Sequence, residues 1–213
     1  MKSPLKLKSV ILSPPGPPRE KPEPAWAVAT LYPGQGFWSE ADYLALPTNH
    51  LVELSEGCVE VLPMPTPLHQ MIVAYLYEAL KGFVSARRLG KVLPAPVPVQ
   101  LWRGKFREPD VVLVRASAKD LRSKKHLSGA VLALEVVSPD DPERDWEQKP
   151  KEYAKAGIQE YWIVDPERGV IAVYTLRRRV YKLHGEFRKG QRATSRLLRG
   201  FSVSVEAALA GED

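Results

Sequence analysis

One carboxylate stands inside an apolar run in the stretch Ala130-Val131-Leu132-Ala133-Leu134-Glu135-Val136-Val137-Ser138-Pro139. A short continuous run of this kind predicts a strand covered on both faces. Glu135 constrains such a strand severely, because desolvating an unpaired carboxylate costs several kcal/mol at least. A cationic group is therefore expected to meet it. Strand alternation places its side chain on the face of Val131, Ala133 and Val137. Ser138-Pro139 ends the strand and leaves Glu135 near its C-terminal end, where sites in α/β sheets gather.

The 213 residues are enough for one domain with a buried core, and 44% hydrophobic with 26% charged residues fits a globular protein. A single cysteine, Cys58, excludes an internal disulfide and fits a reducing cytoplasm. No apolar run reaches the roughly 18 residues of a membrane span. Near the N-terminus only Val10-Ile11-Leu12 forms an apolar core, so no secretory signal is expected. One asparagine, Asn49, beside abundant proline and arginine points to a thermophilic source. The net charge of +6 is uneven: residues 177–199 carry nine Lys or Arg against the acid Glu186. Within that run Arg177, Arg178, Arg179, Arg188 and Arg192 are the candidates for contact with a polyanion.

Residues 1–36 hold Pro14-Pro15-Gly16-Pro17-Pro18, Pro22 and Pro24 without periodicity, which predicts a proline-rich extended arm. Residues 37–213 form the second unit. Ser39 with Asp42 three residues on starts a short helix that ends at Pro47. Leu51–Leu54 and Cys58–Leu62 around Glu56-Gly57 predict a β-hairpin. Residues 68–86 repeat apolar positions at helical spacing, the best helix in the chain. Strands follow over 97–102 and 111–114, with Arg103-Gly104-Lys105 as the turn or loop between them. The focal strand comes next, then a helix within 143–156 that either starts just before Pro150 or kinks there. Tyr161–Asp165 is a further buried strand. Val170–Leu176 with Arg179–Leu183 form a hairpin, and Phe201–Leu209 a last strand or helix. The order is mixed α/β.

Pro109-Asp110 directly precedes the strand at 111–114, so pairing with the focal strand would bring Asp110 and Glu135 to one edge of the sheet. Two or three oxygen ligands plus water is what Mg²⁺ or Mn²⁺ takes. Taken singly, Asp110 is a turn residue and Glu135 a partner for a buried arginine; together, with a lysine in range, they point to a metal site. The four histidines have no zinc-type spacing, and no glycine-rich phosphate loop is present. Asp145 reads as an (i, i+4) ion pair to Lys149. Asp165 caps the turn at Pro166, Tyr161 and Trp162 belong to the core, and Cys58 packs.

Several of these elements recur together. Pro109-Asp110, Glu135-Val136-Val137-Ser138-Pro139, Asp145, Lys149, Tyr153, Gly157 and Glu160 to Pro166 resemble the Uma-two family, a bacterial family within the PD-(D/E)xK nuclease superfamily. Leu51 to Gly57 and His69 are similar to an earlier motif of that family, and the resemblance runs from about Phe37 to Glu206. It implies a restriction-endonuclease-like core, a mixed twisted sheet flanked by helices. It also implies a divalent-metal-dependent endonuclease acting on DNA, with catalytic residues Asp110, Glu135, Lys149 and Glu53. Mg²⁺ or Mn²⁺ would be held by Asp110, Glu135 and the carbonyl of Val136, and Glu53 would complete an outer acidic ring. The superfamily lysine two residues after the glutamate is replaced here by Val137. Lys149 on the following helix matches the family's substitute, with Lys151 and Lys155 as rivals. That lysine would orient or deprotonate water, or stabilise the pentavalent phosphate. A homodimer or higher homo-oligomer, with the arm as a clasp, is the expected assembly.

Two other readings stand beside this one: a catalytically silent nuclease-fold protein that binds nucleic acid or a protein partner, and a metal-dependent hydrolase for another phosphate-containing substrate.

Overall fold

The computed structural model describes residues 33–46, 51–115, 121 and 125–212. The chain divides into Met1–Gly34 and Gln35–Asp213, and every element named below belongs to the second unit. Most of the arm expected over 1–36 lies outside the described residues, as does His50. Among the described residues no helix is long and apolar enough to cross a membrane.

A helix and a hairpin come first. Helix α1 (Glu40–Leu44) starts at Ser39, whose hydroxyl accepts from the Asp42 N–H while Asp42 reaches back to the Ser39 backbone, a reciprocal cap. Strands β1 (Val52–Ser55) and β2 (Cys58–Val61) pair antiparallel through the turn at Glu56-Gly57. The turn needs glycine: Gly57 has φ +83°, and a Cβ there would lie 2.5 Å from the carbonyl oxygen of Gly36. Helix α2 (Pro67–Ala86) is capped by Thr66 and buries Ile72, Val73, Leu76, Leu80 and Val84 along one stripe.

Strands β3 (Lys91–Pro94), β4 (Val99–Trp102), β5 (Lys105–Arg107), β6 (Val111–Val114) and β7 (Ala130–Val136) follow. The sequence pattern missed β3 and β5. Both are short, and β5 reads Lys105-Phe106-Arg107, whose charged residues hide a strand that is fully buried. Next come a π-helical turn (Arg144–Gln148) and α3 (Lys149–Ala156), so Pro150 falls in the first turn of the α-helix, where its missing N–H costs nothing. Strands β8 (Glu160–Asp165), β9 (Val170–Arg177), β10 (Val180–Arg188), β11 (Arg192–Thr194) and β12 (Ser202–Ser204) lead into α4 (Val205–Ala210). The segment read as a last strand or helix thus contains both.

The main sheet has the order β10-β9-β8-β7-β6-β3, and a smaller one the order β2-β1-β5-β4. In the main sheet β7 and β8 are parallel and every other pair is antiparallel. This mixed six-stranded sheet with few helices is the α/β class expected. On one face Leu132, Leu134 and Val136 pack with Leu76 and Leu80 of α2. On the other, Ala133 and Val137 pack with Tyr153 of α3 and Ile163. Val131 corrects the alternation argument. A bulge between β6 and β7 (Leu113 opposite Leu132, Val114 opposite Ala130) inserts one residue, so Val131 joins the α2 face rather than that of Ala133 and Val137.

Candidate active site

Glu135 sits at the C-terminal end of the parallel pair, opposite Ile163 of β8, and only 2% of its surface is exposed. The cation it requires is Lys149, whose Nζ lies 3.0 Å from Glu135 Oε2 and 2.7 Å from Asp145 Oδ1. The phenol of Tyr153, one turn further along α3, donates to Glu135 Oε1 at 2.5 Å. The π-turn makes this aim possible. It is tied down by Trp146 Nε1 donating to Asp165 Oδ2 (2.9 Å) and by Tyr161 OH donating to the Asp145 carbonyl (3.0 Å). Asp165 also caps its own turn, its Oδ1 accepting from the Arg168 N–H at 2.8 Å.

Asp110 enters from the neighbouring strand. Because Val111 pairs with Leu134, Asp110 arrives beside Glu135, and its Oδ2 accepts the Val136 N–H at 2.7 Å. His69, in the first turn of α2, completes the group. Its Nε2 lies 3.4 Å from Asp110 Oδ2 and 3.2 Å from the Val136 carbonyl oxygen. His69, Asp110, Glu135, Asp145 and Lys149 line one cleft of about 440 Å³ together with Leu51, Val61, Leu62 and Met64.

Charge governs the protonation states. Burial drives Glu135 upward, Asp110 and Asp145 add to that, and Lys149 and Tyr153 offset only part of it, so its pKa is raised. Burial pulls Lys149 down, but Glu135, Asp145, Glu53 and Asp110 outweigh it, so its pKa is raised and it keeps its proton. Tyr153 is held protonated by burial and by the Glu135 charge. Desolvation lowers His69, and Asp110 with the Val136 carbonyl more than reverses it.

Glu53 takes a different place from the outer acidic ring expected of it. It is fully buried in β1 and does not line the cleft. Its Oε2 is engaged by Arg107 and Arg144, and its Oε1 accepts the Glu108 N–H at 2.9 Å. Arg107, itself 0% exposed, also meets Glu60 Oε2 (2.8 Å) and Glu152 Oε2 (2.7 Å). Sequence reasoning did not single out Arg107, Arg144 or Glu152. The signal was available: Glu53 stands in an apolar strand as Glu135 does, and the same desolvation argument demands a cation for it. Lys151 and Lys155 do not reach Glu135: Lys155 lies 3.9 Å over the Trp102 ring, and Lys151 is exposed on the outer face of α3.

The five arginines do not form one patch. Arg177, Arg178 and Arg179 are at the tip of the β9–β10 hairpin, whereas Arg188 pairs with Val170 at its other end, next to Arg192. Seven residues of strand, roughly 23 Å, separate the groups. Since Val170 pairs with Asp165 and Thr175 with Glu160, Arg188 lies at the cleft end of the sheet and the tip at the opposite end.

The family model of Uma2, described as "Putative restriction endonuclease", matches residues 40–206. No curated protein matches the chain. Among solved structures, the chain is similar to one described as a putative nuclease belonging to DUF820 from Anabaena variabilis. The TM-score is 0.69 at 17% identity over 82% of this chain and 98% of that one, a likeness of fold.

Proposed function

The chain belongs to the Uma2 family, and on that premise we propose that it hydrolyses phosphodiester bonds in DNA with a divalent cation held by Asp110, Glu135 and the carbonyl of Val136. The observation that carries this reading is the position of His69. One nitrogen within 3.4 Å of Asp110 Oδ2 and 3.2 Å of the Val136 oxygen means that those two donors point at a common spot. Hard oxygen donors of this kind suit Mg²⁺ or Mn²⁺. Charge favours a cation as well, because beyond the effect of burial the Asp110 and Asp145 carboxylates lie close enough to Glu135 to raise its pKa further. Among the described residues no three His, Cys, Asp or Glu side chains form a ready cage. That is compatible with Mg²⁺, which is commonly held by one or two carboxylates with water completing its shell.

A bound dication would supply a water of lowered pKa and neutralise charge on the phosphate. The chain's own groups do the rest. The Val136 N–H fixes the Asp110 carboxylate, and Tyr153 and Lys149 fix that of Glu135. Lys149, holding its proton, offers positive charge to the phosphate as it becomes pentavalent, so of the roles open to it, water deprotonation is the least compatible with this arrangement. The test is a Mg²⁺ and Mn²⁺ titration over a panel of nucleic acids. Metal-dependent cutting that disappears in Asp110→Ala and Glu135→Ala supports the reading, and no metal-dependent cutting by the wild type rejects it.

One observation favours a silent, nucleic-acid-binding protein instead. Both oxygens of Glu135 already have partners, Lys149 and Tyr153. On that reading Glu135→Ala leaves nucleic-acid affinity unchanged and metal adds nothing.

A further inference from the structure

We propose that the cleft takes single-stranded or locally unpaired nucleic acid, an unstacked base resting on the lip formed by Val61, Met64 and Leu68 while the adjoining phosphate reaches Asp110 and Glu135. This deepens the nuclease reading and rests on it. Four observations support it.

The reacting groups are recessed. The side chains of Glu135, Lys149 and Asp110 are 3%, 8% and 16% exposed. Phosphates of an intact duplex belong to a stiff rod that resists bending into such a recess, whereas a flexible single strand leads one phosphate into it at little cost. Size points the same way. A cleft of about 440 Å³ is at the lower end of the roughly 300–1,000 Å³ of small-ligand sites, room for about one nucleotide.

The lip is apolar and faces water. Met64 is 82% exposed, Val61 47% and Leu68 46%, and all three line the cleft together with Pro63 and Pro65. Scattered exposed apolar residues need no explanation. These are close in sequence, line the same cleft and alternate with prolines, residue types that serve elsewhere as apolar wedges between bases. Among the described residues the charge of the cleft is unfavourable to any run of phosphates and leaves room for little backbone. Its carboxyl groups outnumber its two permanent cations, Arg144 and Lys149, and those are engaged by Glu53 with Glu60 and by Glu135 with Asp145. Among the described residues these walls carry no free cation for a run of phosphates, so the one phosphate that enters is left to the dication and its base to apolar contact with the lip.

The experiment presents one labelled sequence to the full chain as a single strand, a perfect duplex and a duplex with a central unpaired bubble, each as DNA and as RNA, with Mg²⁺ and a Glu135→Ala control. The single strand and the bubble are expected to be cut at least about tenfold more efficiently than the duplex. Met64→Ala with Leu68→Ala is expected to raise KM on the single strand about tenfold, leave the salt dependence unchanged and abolish the fluorescence response of 2-aminopurine placed beside the cut. A Tm equal to that of the wild type shows that this variant folds. Glu135-dependent cutting of the duplex as fast as the single strand overturns the inference and leaves the nuclease reading standing. No Glu135-dependent cutting of any form removes both. If the lip variant turns a dimer into a monomer with its substrate preference intact, the lip is an interface between copies and the inference falls.

Discussion

Lys149 Nζ lies 3.0 Å from Glu135 Oε2 although the two residues are fourteen positions apart on different elements. The contact is local in space and remote in sequence, and it answers the charge problem raised by a glutamate in a buried strand. It also makes the pair interdependent. Removing the lysine leaves two buried carboxylates, Glu135 and Asp145, without their cation.

Lys149→Met should therefore destabilise the protein by about 3–5 kcal/mol, while Lys149→Met with Glu135→Gln should cost clearly less than the sum of the single changes. Urea denaturation of the four proteins measures the coupling. Additive losses would mean that the pair is not energetically linked.

The Arg107 cluster predicts acid sensitivity. Burial raises Glu152, but hydrogen bonds and charge from Arg107 and Lys105 overcome it and hold the carboxyl at about 2, against an ordinary 4.5. A lowered folded-state pKa gives stability that is present above about 4.5 and lost as pH falls towards 2. The contribution is on the order of 2 kcal/mol once partial solvent screening is allowed for. Tm measured from pH 6 to pH 2 should fall less steeply in Glu152→Gln than in the wild type.

Glu53→Gln is expected to act through the fold rather than through metal binding. It leaves Arg107 and Arg144 with less compensating charge in a buried place, and should cost about 2–4 kcal/mol. Calorimetric Mg²⁺ affinity of the folded variant should stay within about threefold of the wild type, whereas Asp110→Asn should lose it.

The two arginine groups should separate in their salt dependence. Neutralising Arg188 and Arg192, at the cleft end of the sheet, is expected to reduce the slope of log affinity against log salt by about 1–2. Neutralising Arg177, Arg178 and Arg179 at the far tip should leave it nearly unchanged. Among the described residues no acid pairs with these three tip arginines, so their loss breaks no ion pair.

Gly57→Ala should destabilise the first hairpin. Its Cβ would meet the Gly36 carbonyl oxygen at 2.5 Å, and φ +83° is strained for any side chain. A lowered Tm with the main sheet's amides still protected in hydrogen exchange would localise the damage.

What the sequence determined alone was whatever a period or a desolvation cost could report. The stripe of α2, the cap at Ser39, the turn at Gly57 and the buried strand around Glu135 are local consequences of residue type. The need for a cation at Glu135 followed from the same cost. Tertiary structure decided which cation answers and where each acid goes. Glu135 and Glu53 look alike in their strands, yet the π-turn and α3 bring Lys149 to one, and the pairing of β1 with β5 brings Arg107 to the other. The bulge that turned Val131 to the opposite face, and the hairpin length that set Arg177 apart from Arg188, were equally invisible. Each depends on strand register, which is set by partners far away along the chain and not by a residue's neighbours.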